Sequence, residues 1–265
     1  GQYRAIDGYF CGSTSPSRHF LQMIAGVSRL IQSCRNHKVL INTTGLSTGA
    51  IGRALKTEKI NAIRPDLIIG LEFENELKYL QAFASAGSEV VMYRPHPQVT
   101  SRSRAERALA RKASFRAHFE GAVSTSHRLE EIGVERLLLN NGIIADQDVL
   151  KTMDPDILYA ETLDREALIV SRCSIARPSE IARYLQVDTL YVFRPSDFTG
   201  ALTGLLDGHG HLLALGIIDS IDFQSGTFTI FSTADRFNVM QFGSMKLDKT
   251  DIGYLGSFGP EILRP

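Results

Sequence analysis

With 265 residues, 43% of them hydrophobic, the chain is long enough to bury one large core or two moderate ones. Its 29 basic and 29 acidic residues cancel to a net charge of +0, which excludes a global field that draws in nucleic acid or an acidic membrane and leaves electrostatic recognition to local clustering. Three scattered cysteines, Cys11, Cys34 and Cys173, argue against a disulfide framework or a zinc site, and no signal-peptide pattern or long apolar run occurs, so a soluble chain in a reducing, cytoplasmic compartment is expected, nuclear or nucleolar in a eukaryote.

The first half alternates helix and strand. Phe20, Ile24, Val27 and Ile31 recur at three- and four-residue spacing, which predicts an amphipathic helix over Ser17 to Cys34. VLINTT (Val39 to Thr44) is short and apolar and predicts a buried strand. GLSTG (Gly45 to Gly49) then turns the chain into a helix carrying Ile51, Leu55, Ile60 and Ile63, which ends near Arg64-Pro65. DLIIGLE (Asp66 to Glu72) and EVVMYRP (Glu89 to Pro95) predict two more strands, with a helix over Glu74 to Ala86 between them. Strands this apolar, separated by helices, imply a parallel sheet covered on both faces, with functional loops at the carboxyl ends of its strands.

From Ser101 to Arg116 six basic side chains face one acid, Glu106. Ser103 followed three residues later by Glu106 is a capping box, so a helix is expected from Arg104 to about Phe119, with Ala105, Ala108, Leu109 and Phe115 free to face protein. Arg104, Arg107 and Arg111 fall on one narrow face, and Arg102 lies just ahead of the first turn, where exposed N–H groups add positive potential. Forked guanidiniums held close together match phosphate oxygens; a solvated basic face is the alternative.

After residue 121 the segments ALIVS, TLYVFR, HLLALGII and TFTIFST are short, β-branched or aromatic, and separated by turns such as Asp207-Gly208 and Ser225-Gly226. Residues 122–265 therefore read as a β-rich domain behind an α/β domain over 1–121.

Thr43, Thr44 and Gly45 end a predicted strand and offer hydroxyls and approachable amides to a substrate, although plain turn chemistry explains the glycine equally. GSTSPS (Gly12 to Ser17) is either a polar substrate loop, with Ser13, Thr14 and Ser15 as contacts, or a helix N-terminus with a proline. His209 and His211 fit a glycine-flanked hairpin tip without a metal, and His96, between two prolines, has no visible partner.

Three stretches in order, YFCGSTSPSRHFLQMIAGVSRL, VLINTTGLSTGAIGRAL with IRPDLIIGLE, and VTSRSRAERALARKASFRAHFEGA, resemble the P-loop polynucleotide 5′-hydroxyl kinase family of pre-mRNA cleavage, ribosomal RNA processing and archaeal and bacterial relatives. The likeness covers residues 6 to 121 and continues more loosely through GALTGLLDGHGHLLALGII and FGSMKL. It implies a P-loop NTPase-type parallel sheet with flanking helices, ATP and Mg²⁺ as cofactors, a nucleic-acid 5′ end as partner with RNA ahead of DNA, no membrane, and protein partners through the β-rich domain. It implies that Thr43 or Thr44 with Gly45 form the clasp gripping the acceptor strand, and that Leu46 stands where relatives carry a base-stacking tryptophan. It implies a lid in which Arg102 and Arg107 lie over the transferring phosphoryl group, with Arg111 as support, and a substrate loop at GSTSP.

The sequence departs from the family in one large respect: the phosphate-binding loop GxxxxGK[ST] does not occur in it. The expectation is that this loop lies upstream, that the chain alone is inactive without it, and that Gly1-Gln2 ends the family's Asp-x-Asp-x-Gly-Gln element, with a tag remnant or chain break as equal readings. A GTPase-like P-loop hydrolase and a non-catalytic RNA-processing adaptor are the rival functions.

Overall fold

The structure, a computed structural model, describes residues 5–34, 37–100 and 102–265, so Gly1-Gln2 lie outside the described residues. The chain divides into two compact units, one ending at Arg107 and one running from Ala108 to Pro265.

In the first unit, α1 (Phe20–Gln32) packs against α2 (Gly49–Ile63). Gly26 of α1 is required by close approach, since a Cβ there would sit 2.6 Å from the Tyr9 ring. Pro65 denies the preceding residue a helical conformation, and α2 accordingly ends with Arg64 left-handed at φ 51°. Strands β1 (Leu67–Leu71) and β2 (Glu89–Tyr93) pair in parallel, from Leu67 opposite Glu89 to Leu71 opposite Tyr93. Ile68, Leu77 and Leu80 form the small core beneath them, with Ile60, Val90 and Met92 against it.

Three expectations fail here. VLINTT is not a buried strand: it makes no ladder, and Leu40 is 92% exposed. Apolar composition favours burial, but a strand also needs a neighbour for its alternating N–H and C=O groups, and no described segment supplies one. The parallel sheet is two-stranded and covered on one face only, because Leu67, Ile69 and Leu71 on the other are exposed. The helix expected over Glu74 to Ala86 is a 3₁₀ run, Lys78–Ala86. The Glu76 carboxylate accepts the amides of Phe73 and Glu74, and that of Glu72 accepts Leu77 N, which makes a tight turn where α-helix was expected.

Helix α3 (Arg104–His118) spans the division between the units. It buries none of its residues, and Leu109, expected to face protein, is 68% exposed with Ala105 and Ala108. Its second half docks through polar and aromatic groups instead. Lys112 Nζ lies 2.5 Å from Asp251 Oδ2, Arg116 donates to the Asp251 carbonyl, His118 Nε2 accepts Leu215 N, and Phe119 stacks on Phe231.

The second unit is the expected β-rich body. Its strands are β3 (Val123–Arg128), β4 (Gly133–Glu135), β5 (Ile143–Ile144), β6 (Ile157–Leu163), β7 (Glu166–Ser171), β8 (Thr189–Phe193) and β9 (Ala201–Leu206), then β10 (Leu212–Asp222), β11 (Thr227–Ser232), β12 (Val239–Leu247), β13 (Tyr254–Ser257) and β14 (Glu261–Leu263). One sheet runs β13-β12-β9-β10-β11-β3 with β4 beside β12, and the other runs β14-β8-β7-β6-β5. Leu168, Val170 and Phe193 of the second sheet share a core with Leu205, Ile218, Phe228 and Met240 of the first. Helices α4 (Gln147–Met153) and α5 (Pro178–Leu185) supply Leu150 and Ile181 to a second core with Ile157 and Ile169. Strand β7 is thus covered on both sides, which matches its unbroken apolar run ALIV. Asp207 caps the β9–β10 hairpin by accepting the amides of His209 and His211, so the HxH pair is tip chemistry.

Candidate functional site

Residues 102 to 111 form an arginine face built by a local device. Ser103 Oγ accepts Glu106 N at 3.2 Å and Glu106 Oε2 accepts Ser103 N at 2.7 Å, closing the capping box. The backbone and side chain of Ser103 hold the Glu106 carboxyl below the usual carboxylate range. Arg107 reaches back to donate to the Arg102 carbonyl. At about 100° per residue Arg104, Arg107 and Arg111 span about 60° of the helix, and Lys112 and Arg116 point about 80–120° away from Arg104. The two sets behave differently. Lys112 and Arg116 are tied to Asp251, whereas Arg102, Arg104, Arg107 and Arg111 are exposed and, among the described residues, make no ion pair.

The Thr43–Leu46 loop is built differently, by anchors from helix α2. Lys56 donates to Thr43 Oγ1 at 2.6 Å and to the Thr44 carbonyl at 2.6 Å. Gly52 lets the loop lie directly on the helix, since a Cβ there would come within 2.9 Å of the Ser47 carbonyl carbon. From the 3₁₀ run, the Tyr79 hydroxyl donates to the Ser47 carbonyl at 3.0 Å. Three attachments therefore fix a loop with no ladder of its own. Thr43 and Gly45 stay exposed, Leu46 is half-buried, and the Thr44 hydroxyl is buried without a hydrogen-bond partner among the described residues.

Lys56 and Tyr79 are what the sequence reading missed. The buried face of α2 is Gly52, Leu55, Lys56 and Lys59, a helical stripe in which two lysines replace apolar residues. Writing out that stripe is the signal that would have found them. Burial, with repulsion from Lys59 second, pushes the Lys56 ammonium down to about 8. Burial also pushes Lys59 down, while negative charge on the Cys11 sulfur acts the other way.

Ser13 and Ser15 form a local turn. Gly12 takes φ 88°, Ser13 Oγ accepts Ser15 N, and Ser15 precedes a 3₁₀ turn, Pro16–Arg18, with proline at its first position. Among the described residues no hydrogen bond or ion pair joins Arg102 or Arg107 to the Thr43–Leu46 loop. Exposed, unpaired guanidiniums suit phosphate oxygens. Among the described residues no three acidic, histidine or cysteine side chains cluster, and the sequence lacks GxxxxGK[ST].

Residues 3–121 match the family described as mRNA cleavage and polyadenylation factor CLP1 P-loop. A polyribonucleotide 5′-hydroxyl-kinase of Methanocaldococcus jannaschii is 30% identical over 259 residues, spanning 94% of this chain and 70% of that protein. A polyribonucleotide 5′-hydroxyl-kinase of Pyrococcus furiosus is 29% identical over 258 residues, 93% of this chain and 71% of that one. A solved wild-type Clp1p–Pcf11p complex has the same fold at TM-score 0.51 and 8% identity, over 88% of this chain; the chain spans 52% of that structure's chain.

Proposed function

Because this chain belongs to the polyribonucleotide 5′-hydroxyl-kinase family, we propose that it phosphorylates the 5′-hydroxyl end of RNA, with DNA as a second acceptor, taking the γ-phosphoryl group from ATP. Transfer is in line, and positioning plus charge stabilisation supply most of the catalysis. Arg102 and Arg107 carry the charge that develops on the phosphoryl oxygens, and Arg111 supports them. Thr43 or Thr44 with Gly45 holds the acceptor strand, and Ser13, Thr14 and Ser15 line the substrate loop. Leu46 offers a smaller apolar surface than an indole, so base stacking at the clasp is weak. The family's magnesium belongs with the nucleotide, and no residue of this chain is assigned to it.

The observation that supports this reading most is the contrast along α3, where Lys112 and Arg116 are held by Asp251 while Arg104, Arg107 and Arg111 stay exposed and, among the described residues, make no ion pair. Exposed guanidiniums without an ion pair suit an anionic substrate. We assign residues 1–121 to the kinase domain and 122–265 to a β-rich domain that binds protein partners. The family match ends at residue 121, and the structural relative is a complex with a second protein. Cytoplasm is the proposed compartment, or nucleus and nucleolus in a eukaryote; among the described residues no helix is long and apolar enough to cross a membrane.

The test is transfer of labelled phosphate from ATP to matched oligoribonucleotides ending in a 5′-hydroxyl or a 5′-phosphate. Labelling of the 5′-hydroxyl strand alone supports the reading. In a protein assayed with its phosphate-binding loop present, phosphate release to water without labelling makes it a hydrolase, and neither reaction makes it an adaptor.

A further inference from the structure

Lysines 56 and 59 are 9% and 8% exposed. Neither has an acidic partner among the described residues. A buried cation without a counter-charge is costly, so its hydrogen bonds carry information. An ammonium has three N–H donors and no lone pair. Two of those donors go to Thr43 Oγ1 and the Thr44 carbonyl, both at 2.6 Å.

Each bond determines a donor on the other side. Thr43 Oγ1 must accept from Lys56, so its own O–H hydrogen is left for a different partner, and Thr43 is exposed. The Thr44 carbonyl is drawn inward, and in a planar trans peptide the next N–H points the opposite way, so the Gly45 N–H is turned away from Lys56. Gly45 has open space where a Cβ would stand. The corner thus offers two hydrogen-bond donors next to the Lys56 ammonium, and that field favours an anionic oxygen over a neutral hydroxyl.

Building on the kinase reading, we propose that Lys56 is a positioning residue that sets the Thr43 O–H and the Gly45 N–H as a two-donor cradle for an oxygen of the acceptor strand's first phosphodiester. Lys56 does not touch the acceptor. It fixes which way the corner faces, and Tyr79 and Gly52 fix where the corner sits.

This arrangement titrates. Burial and Lys59 hold Lys56 at about 8, so above that pH the amine regains a lone pair and Thr43 is free to reorient. The groups that bear on it are Lys59 on the same helix and, beside Lys59, the Cys11 sulfur; Thr43 and Thr44 carry no charge.

The experiment measures KM for a 5′-hydroxyl oligoribonucleotide, KM for ATP, and kcat across pH for the unmodified protein, Lys56→Met, Lys56→Arg and Thr43→Val. The expected result is an acceptor KM raised about tenfold or more in Lys56→Met, with KM for ATP within about twofold. Lys56→Arg recovers part of the loss, and the rise in acceptor KM above about pH 8 seen in the unmodified protein moves to higher pH. A neutral methylphosphonate at the first linkage removes the difference between Lys56→Met and the unmodified protein. Should Lys56→Met misfold, Thr43→Val carries the test, since it raises the acceptor KM with Lys56 in place. An unchanged acceptor KM in a folded Lys56→Met, equal losses for ATP and acceptor, or a difference that persists on the methylphosphonate strand overturns the proposal. If the protein, assayed with its phosphate-binding loop present, transfers no phosphate, the kinase reading falls and takes this inference with it.

Discussion

Lys56 Nζ and Thr43 Oγ1 lie 2.6 Å apart across thirteen residues of chain, so that a buried helical ammonium holds the hydroxyl of an exposed loop. The stability of the first unit and the geometry of its loop are therefore linked through one titratable group.

That linkage has a sign. Lys56 is lowered in the folded state, from 10.5 to about 8. Between those values the unfolded chain binds the proton and the folded chain does not, so stability rises with pH across the window, by at most about 1.4 kcal/mol per pH unit. Denaturant melts from about pH 7.5 to pH 10 should show this rise in the unmodified protein and a flatter profile in Lys56→Met. Parallel profiles would mean that Lys56 is solvated.

Gly52 tests loop placement without touching a charge. Its backbone is not left-handed, so Gly52→Ala gains helix propensity, but the new methyl would meet the Ser47 carbonyl carbon at 2.9 Å and push the loop outward. Because the atoms it meets are backbone, a lowered Tm in a variant that still folds is expected, together with an acceptor KM raised about tenfold. An unaltered KM would show that the loop position does not matter to the acceptor.

Glu161 makes a separate prediction in the second unit. It is fully buried, its Oε2 accepts from the Tyr159 hydroxyl and Gly142 N, and its Oε1 has no partner among the described residues. Burial outweighs those donors and raises its pKa. A raised carboxyl binds its proton more tightly when folded, so its stabilising contribution is full below about pH 4.5 and is lost as pH rises through the folded value. Glu161→Gln should therefore gain stability relative to the unmodified protein between about pH 5 and pH 8, as read from paired unfolding curves. A constant difference would place a stable anion there.

Much of the fold was readable in the sequence because local rules govern it. The Ser103–Glu106 box, the end of α2 at Arg64-Pro65, and the β-rich stretch beyond residue 121 each follow from capping, proline sterics or side-chain period. The failures are non-local. Val39 to Thr44 has a strand's composition, but composition cannot say whether a partner strand lies alongside. The β12–β9 pairing joins segments more than thirty residues apart and leaves no sequence mark. Lys56 was passed over because a lysine in a helix is assigned to solvent by default, although its place in the Gly52-Leu55-Lys56-Lys59 stripe marks it as buried.

The central claim is that the unpaired arginines of α3 serve a transferring phosphoryl group. Replacing Arg107 by Ala tests it most directly, since the side chain is exposed and its described hydrogen bond goes to the Arg102 carbonyl, so folding should survive. The measurement is kcat for phosphate transfer to a 5′-hydroxyl oligoribonucleotide, beside Tm. The account predicts a fall of about a hundredfold or more at unchanged Tm. A kcat within about threefold of the unmodified protein, in a folded variant, would contradict it.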